Sequence, residues 1–244
     1  MAEAFCVEIA GMRFSVNTKY EYSRHLLAQY FTDSPCEHVL HITQDDIDHE
    51  RQLVCEDDDS IDPSLANVSD SYLESIAVLR KMADYVCEHG RLLMHGSAIA
   101  IDGKGYIFTA LSGTGKSTHT RLLRKLHGEN AVMINDDKPF LHIAEDKIYV
   151  CGTPWMGKHG IGSNIIVPLE GIFFLRRSED NVLEQLSAEN ALTLLVSQCH
   201  RPVDATKMLC TLDLLDQVLT RVPLYDFGCN MDISAAELSS SVMH

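Results

Sequence analysis

The clearest chemical signal in the chain is a glycine-rich segment near its middle that carries a lysine and several hydroxyl side chains. In a phosphate-binding loop (P-loop), backbone N–H groups converge on phosphate oxygens, a lysine adds positive charge, and a serine hydroxyl binds Mg²⁺. The spacing assigns the last two roles to Lys116 and Ser117. The predicted nucleotide-binding residues are Ala110, Leu111, Ser112, Gly113, Thr114, Gly115, Lys116, Ser117 and Thr118.

The segment departs from the usual pattern at Ala110, where a glycine ordinarily stands. A methyl group leaves most of the room, provided that the backbone there is not left-handed. The pattern of apolar residues predicts a strand directly before the loop and a helix directly after it, which are the flanking elements that a P-loop requires. The alternative is a glycine-rich hairpin turn that matches the motif by coincidence.

Two adjacent acids, Asp136 and Asp137, follow the short apolar stretch 131–134. A carboxylate at such a strand end can hold Mg²⁺ directly or through water, and a second one can accept a hydroxyl proton. The residues alone leave open which of Asp136 and Asp137 holds the metal and which accepts the proton. The alternative is a solvated turn with neither acid in the site.

The charge of the chain restricts its partners. A formal net charge of −15 over 244 residues, without a long run of Lys and Arg, disfavours nucleic acid and anionic membranes as ligands. The eight cysteines are scattered without zinc-ligand spacing, and neither a basic signal segment nor a long apolar stretch is present. We therefore expect a cytoplasmic protein with reduced thiols.

Apolar periodicity predicts the strands and helices that position these residues. We expect a small N-terminal α+β region over 1–62 and the P-loop nucleotide-binding domain over 63–244. The acidic runs 45–48 and 56–59 are interpreted as solvated turns. Predicted strands are 5–9, 13–16, 38–43, 92–101, 105–109, 131–134, 140–143, 147–151, 165–167, 171–175 and 223–227; predicted helices are 22–31, 69–89, 116–127, 188–199, 205–221 and one from Ser234.

Three motifs together, His95-Gly96, the loop 112–117 and Asn135-Asp136-Asp137, resemble the catalytic domain of HPr kinase/phosphorylase. That family belongs to the structural group of ATP-dependent phosphoenolpyruvate carboxykinase. The resemblance covers about 92–137 and continues more weakly to about 177. It implies an α/β fold with a mixed sheet and a P-loop, and it implies that Asp137 is the general base. It also implies that His95, which alone is more often structural, assists at the transferred phosphoryl group.

The sequence also departs from this family. The Glu-x-Arg-Gly signature, which supplies a metal ligand and is tied to the reverse reaction, is absent. A loop over 152–160 stands in that region, where Lys158 and His159 either contact a phosphate or substrate carboxylate or merely end a structural loop. Arg176 or Arg177 ends an apolar strand and can stabilise transferred charge, and we choose Arg176. The family's N-terminal domain is not recognisable, so its protein substrate is not carried over.

These observations predict an ATP-dependent kinase that uses ATP and Mg²⁺. Its acceptor is a hydroxyl on a serine side chain or on a small serine-like molecule. A catalytically reduced nucleotide-sensing or partner-binding module is the alternative. A hydrolase differs only in its acceptor and stays open, as does a homo-oligomeric state. The carboxykinase reading needs a longer chain and further ligands.

Overall fold

The first two strands are joined by a tight turn at Ala10 and Gly11. Both residues have positive φ angles, of 52° and 71°. Such angles match the right-handed twist of a two-residue hairpin. The turn joins β1 (Phe5–Ile9) to β2 (Met12–Asn17), and β3 (His38–His41) adds to β2 in parallel. The computed structural model describes residues 4–56, 68–111 and 113–243, without the side chains of 54–56.

Three α-helices accompany this small sheet: α1 (Glu21–Leu26), α2 (Gln44–Glu56) and α3 (Asp70–Val86). The buried carboxylate of Glu74 on α3 accepts hydrogen bonds from the backbone of Lys19 and Tyr20 and from the hydroxyl of Ser23. A buried charge is tolerated where several donors satisfy it. Helix α3 therefore packs with the N-terminal elements.

By contacts, the chain divides into Met1–Tyr85 and Val86–His244, later than the expected division at residue 62. The expected boundary itself lies outside the described residues. The difference arises because α3, which the sequence assigned to the second domain, bonds to the first unit through Glu74 and through Asp70, which accepts from Arg51. No local pattern in the α3 sequence reveals these partners.

Two further expectations for the first unit are wrong. The run 45–48 is the first turn of α2 and not a solvated turn. The N–H and hydroxyl of Thr43 donate to the Asp46 carboxylate, and the Asp46 N–H donates to the Thr43 hydroxyl oxygen. Acidic side chains are also favourable in the first turn of a helix. The second acidic run has only its first residue, Glu56, in α2, and residues 57–59 lie outside the described residues. Cys6 and Cys36 form a disulfide, so the expectation of reduced thiols fails for this pair.

The second unit is built on a nine-stranded mixed sheet. Strand β10 runs parallel to β6 on one side and to β12 on the other, whereas β5 and β7 continue antiparallel beyond β6. The strands are β4 (Arg91–Leu93), β5 (Ser97–Ile101), β6 (Lys104–Thr109), β7 (Ala131–Asn135), β8 (Phe140–Ile143), β9 (Ile148–Cys151), β10 (Ile166–Arg177), β11 (Val182–Gln185) and β12 (Leu224–Cys229).

Helices cover both faces of this sheet, which is why its central strands are apolar without alternation. Ala98 and Ala100 of β5 belong to the core shared with α5 (Ala188–Gln198) and α6 (Ala205–Arg221). Ile99 and Ile101 belong to the core shared with α4 (Lys116–His127) and α7 (Ile233–Ser240). A mixed α/β unit results, as the sequence predicted. None of the described helices is long and apolar enough to cross a membrane.

Most predicted elements of this unit are confirmed, with four differences. The strand expected over 92–101 is broken between β4 and β5, at 94–96. The two strands expected over 165–175 are one strand, β10, with a shift of register between Leu169 and Gly171. Strand β11 was not predicted. Helix α7 begins after Asp232, without the side-chain capping bond expected at Ser234.

Candidate active site

The glycine-rich loop connects β6 to α4, as the motif requires. Gly113 and Gly115 have φ angles of 76° and 122°, which L side chains rarely adopt. Ala110 is buried and is not among the described non-glycine residues with positive φ, so its methyl group is accommodated without backbone strain. Ser112 lies outside the described residues. The loop ends at the N-terminus of α4, where unpaired N–H groups and the helix dipole favour an anion.

Lys116 begins α4, and its ammonium group donates a hydrogen bond to the carbonyl oxygen of Ala110 at 3.1 Å. The side chain therefore folds back over its own loop. Burial lowers the pKa of Lys116, and the field of Asp137 opposes that effect more strongly than the field of Asp136 does. Both acids are thus close enough to act on this lysine, which brings the loop and the acid pair into one site.

Asp136 is linked to α4 through two hydroxyl groups. Ser97 donates to Asp136 Oδ1 at 2.5 Å, and Ser97 Oγ lies 3.0 Å from Thr120 Oγ1. Thr120 Oγ1 lies 3.3 Å from the carbonyl oxygen of Ser117. The carboxylate is buried, and within the described part of the chain no cationic side chain lies within ion-pair distance of it. A buried anion without a cation partner fits a metal ligand.

Asn135 holds the backbone of the acid pair in place. Its side-chain oxygen accepts hydrogen bonds from the backbone N–H groups of Asp137 and Lys138, at 2.8 and 2.6 Å. Its amide group donates to Thr153 and to the carbonyl oxygen of Trp155. Because Asn135 is fully buried, these bonds are not exchanged with water. The motif residue that precedes the acids is therefore a structural clamp.

Asp137 is partly exposed and faces two basic side chains. His95 Nε2 lies 3.4 Å from Asp137 Oδ1, and Lys138 Nζ lies 3.9 Å from the same oxygen. Burial raises the pKa of Asp137, although Lys138 and Lys116 oppose that effect. A raised pKa makes the carboxylate a stronger base, as proton abstraction requires.

His95 is neutral near pH 7 despite its carboxylate neighbour. Burial, together with the positive charges of Lys138 and Lys116, lowers the pKa of His95 to about 4. The Gln198 side chain acts in the opposite direction on this pKa but is outweighed. The imidazole therefore faces Asp137 as an uncharged group.

His95 is held in the break between β4 and β5 by a residue that sequence reasoning missed. The backbone carbonyl oxygen of Gln198, at the end of α5, accepts a hydrogen bond from the His95 backbone N–H at 2.7 Å. Thr109 Oγ1 lies 2.7 Å from the His95 carbonyl oxygen and 3.0 Å from Gln198 Oε1. Gln198 carries no motif, so only the folded chain reveals it.

Gly96 and Gly157 lie close to Asp137, where a larger side chain would leave little room. The N–H of Gly96 donates to the carbonyl oxygen of Asp137 at 2.9 Å, and a Cβ on Gly96 would lie 2.8 Å from Ile107 Cγ2. A Cβ on Gly157 would lie 3.1 Å from Asp137 Cβ. Gly157 begins a short 3-10 helix, Gly157–His159, so the exposed side chains of Lys158 and His159 follow directly after this contact.

Arg176 and Arg177 have different partners. Arg176 pairs with Asp226 on β12 at 2.8 Å. Arg177 donates to the carbonyl oxygen of Gly113 in the glycine-rich loop at 2.7 Å. Successive side chains on a strand point to opposite faces, so only one of the two neighbours meets the loop. The role predicted for Arg176 stays a prediction.

Comparisons with known proteins find similarity among solved structures. No family model matches the chain, and neither does any curated protein. Among solved structures, the chain is similar to the HPr(Ser) kinase/phosphatase from Coxiella burnetii, with 11% sequence identity and a TM-score of 0.38 over 62% of this chain and 93% of that chain. At this identity and TM-score, residue roles do not transfer.

Proposed function

We propose that this chain is an ATP-dependent kinase that moves the γ-phosphoryl group to an alcohol, on a serine side chain or on a small serine-like molecule. The observation that carries the proposal is the convergence of three groups: His95 and Lys138 lie within 4 Å of Asp137, and Lys116 lies within its field. A nucleotide-binding module needs the loop and Lys116, but it has no use for a half-buried neutral histidine against a carboxylate.

In this mechanism the loop amides and Lys116 hold the phosphates, and Asp137 accepts the proton of the acceptor hydroxyl. The acceptor oxygen forms its bond to phosphorus as the bond between phosphorus and the ADP oxygen breaks. His95 donates a hydrogen bond beside this centre in its neutral form. Positioning and charge neutralisation supply most of the catalysis.

Magnesium fits the residues around Asp136. The described part of the chain contains no cluster of three or more His, Cys, Asp and Glu side chains that would hold a metal by itself. Mg²⁺ ordinarily binds through one or two carboxylates together with substrate phosphates, and the hydroxyl of Ser117 and the carboxylate of Asp136 would supply the protein ligands. When bound, the ion would neutralise charge on the phosphates.

The first experiment asks whether label moves from ATP to an acceptor. The protein would be incubated with γ-³²P-labelled ATP and with lysate fractions of low and high molecular weight. Transfer into either fraction supports a kinase and identifies the size class of its acceptor. Release of free phosphate alone would point to a hydrolase. If label is neither transferred nor released, the binding module is favoured.

Asp137→Asn tests the base directly. We expect transfer to slow by roughly 10²- to 10⁴-fold, the usual contribution of a general base, while MgATP affinity stays within about twofold of the wild type. Isothermal titration calorimetry and transfer rates separate the two quantities. Normal transfer by the Asn variant would show that Asp137 is not the base.

A further inference from the structure

We propose that Lys138 is a catalytic residue that contacts the transferred phosphoryl group, as a second lysine opposite Lys116. The inference rests on the proposed kinase function and adds a residue to its machinery. Lys138 directly follows the acid pair, and its ammonium group lies 3.9 Å from Asp137 Oδ1. It belongs to none of the motifs seen in the sequence.

The backbone of Lys138 is fixed on both sides. Its N–H donates to Asn135 Oδ1 at 2.6 Å, and its carbonyl oxygen accepts from Thr153 Oγ1 at 2.7 Å. Asn135 Oδ1 also accepts from the Asp137 N–H, so the backbones from which the ammonium group and the carboxylate extend are held together. A group that must meet a charge in a transition state is effective when it is positioned beforehand.

The neighbours of Lys138 place it beside the reacting phosphorus. In a direct transfer, the acceptor oxygen and the leaving oxygen lie in line, and negative charge spreads over the three equatorial oxygens between them. Asp137 marks the acceptor end and Lys116 marks the nucleotide end. The ammonium group of Lys138 and the imidazole of His95 both lie within 4 Å of the same Asp137 carboxylate oxygen. A cation beside the acceptor end can reach an oxygen of the phosphoryl group during its transfer.

A structural ion pair with Asp137 is a weaker explanation. At 3.9 Å the two groups are beyond hydrogen-bonding distance, and both side chains are about one-third exposed, a setting in which ion pairs contribute little to stability. The ammonium group of Lys138 is thus near the carboxylate without being engaged by a short contact to it, and it can meet an anionic ligand.

The test compares a ground-state nucleotide with a mimic of the transferred group. Wild type, Lys138→Met, Lys138→Arg and the control Lys147→Met would be titrated with MgADP and with MgADP plus fluoroaluminate, and steady-state turnover of MgATP would be measured. Lys147 is an exposed lysine between β8 and β9, outside the site. Circular dichroism would confirm that each variant is folded.

We expect Lys138→Met to bind MgADP like the wild type but to bind the fluoroaluminate complex at least about tenfold more weakly, and to turn over roughly 10²- to 10³-fold more slowly. Lys138→Arg should restore part of this loss, and Lys147→Met should change nothing. Unchanged fluoroaluminate binding by folded Lys138→Met overturns the inference, and so does an equal loss for both ligands. If the wild type binds no nucleotide at all, the proposed function fails first and the inference falls with it.

Discussion

The acid segment 135–138 and the glycine-rich loop 110–117 of the candidate site are held in place by different kinds of interaction. In the acid segment, the fully buried side chain of Asn135 accepts two hydrogen bonds from the following backbone. Its amide group donates to Thr153 and to the carbonyl oxygen of Trp155. In the loop, the N–H of Thr114 donates to the carbonyl oxygen of Leu111, whereas those of Gly113, Gly115 and Lys116 have no partner among the described residues. The comparison teaches that side-chain hydrogen bonds place the carboxylates, whereas the loop is shaped mainly by its glycines.

Lys116→Met gives the largest effect that this comparison predicts. Among the described residues, the Lys116 side chain hydrogen-bonds to the Ala110 carbonyl alone, so its loss should leave the free energy of unfolding within about 1 kcal/mol of the wild type. Nucleotide-dependent activity should fall by roughly 10²- to 10³-fold. Calorimetric binding of MgATP and thermal unfolding check the two parts. A large loss of stability would mean that Lys116 holds the loop in place.

Asn135→Ala should act in the opposite sense, on stability first. It leaves the N–H groups of Asp137 and Lys138 without their acceptor in a buried position, which we expect to cost about 4 kcal/mol. Chemical denaturation measures this change. Thr153→Val, which removes a single hydroxyl from the same network, is the matched control and should cost less. Equal costs would contradict the role of Asn135 as the clamp.

His119 is a buried residue of α4, the helix that follows the glycine-rich loop. It allows a pH-dependent test of how the packing of this helix contributes to stability. The ring is buried between Phe108 and Phe227, and burial lowers its pKa to about 4 from an ordinary value of 6.5. Since the unfolded chain binds the extra proton first, stability is lost as the pH falls from 6.5 to 4, by on the order of 3 kcal/mol at the lower end.

His119→Gln keeps a polar end near Ser239 Oγ but cannot titrate. Urea unfolding of both proteins between pH 7 and pH 4 should show a smaller loss of stability in the variant. Parallel curves would mean that His119 does not carry the effect.

Gln198→Leu gives the smallest effect, because Gln198 acts only through His95. We expect transfer to slow about tenfold while MgATP affinity is unchanged, since a misplaced imidazole costs rate and not nucleotide binding. Comparing kcat with the KM for MgATP makes this distinction. A change in KM alone would assign Gln198 to nucleotide binding instead.

The sequence by itself determined the local chemistry of this protein. Glycine spacing identified the loop, apolar periodicity identified its flanking strand and helix, and the acid pair marked a strand end. These signals are readable because turn angles and amphipathic periods depend on neighbours within a few residues.

Tertiary structure decided which distant residues join this chemistry. Gln198 reaches His95 from the end of α5, Arg177 rather than Arg176 meets the loop, and α3 packs with the first unit. Sequence spacing could not indicate these contacts, because side chains far apart in the chain meet only after the sheet and helices have packed. The nearby Lys138 was also missed, because its meaning depends on where the buried side chain of Asn135 holds its backbone.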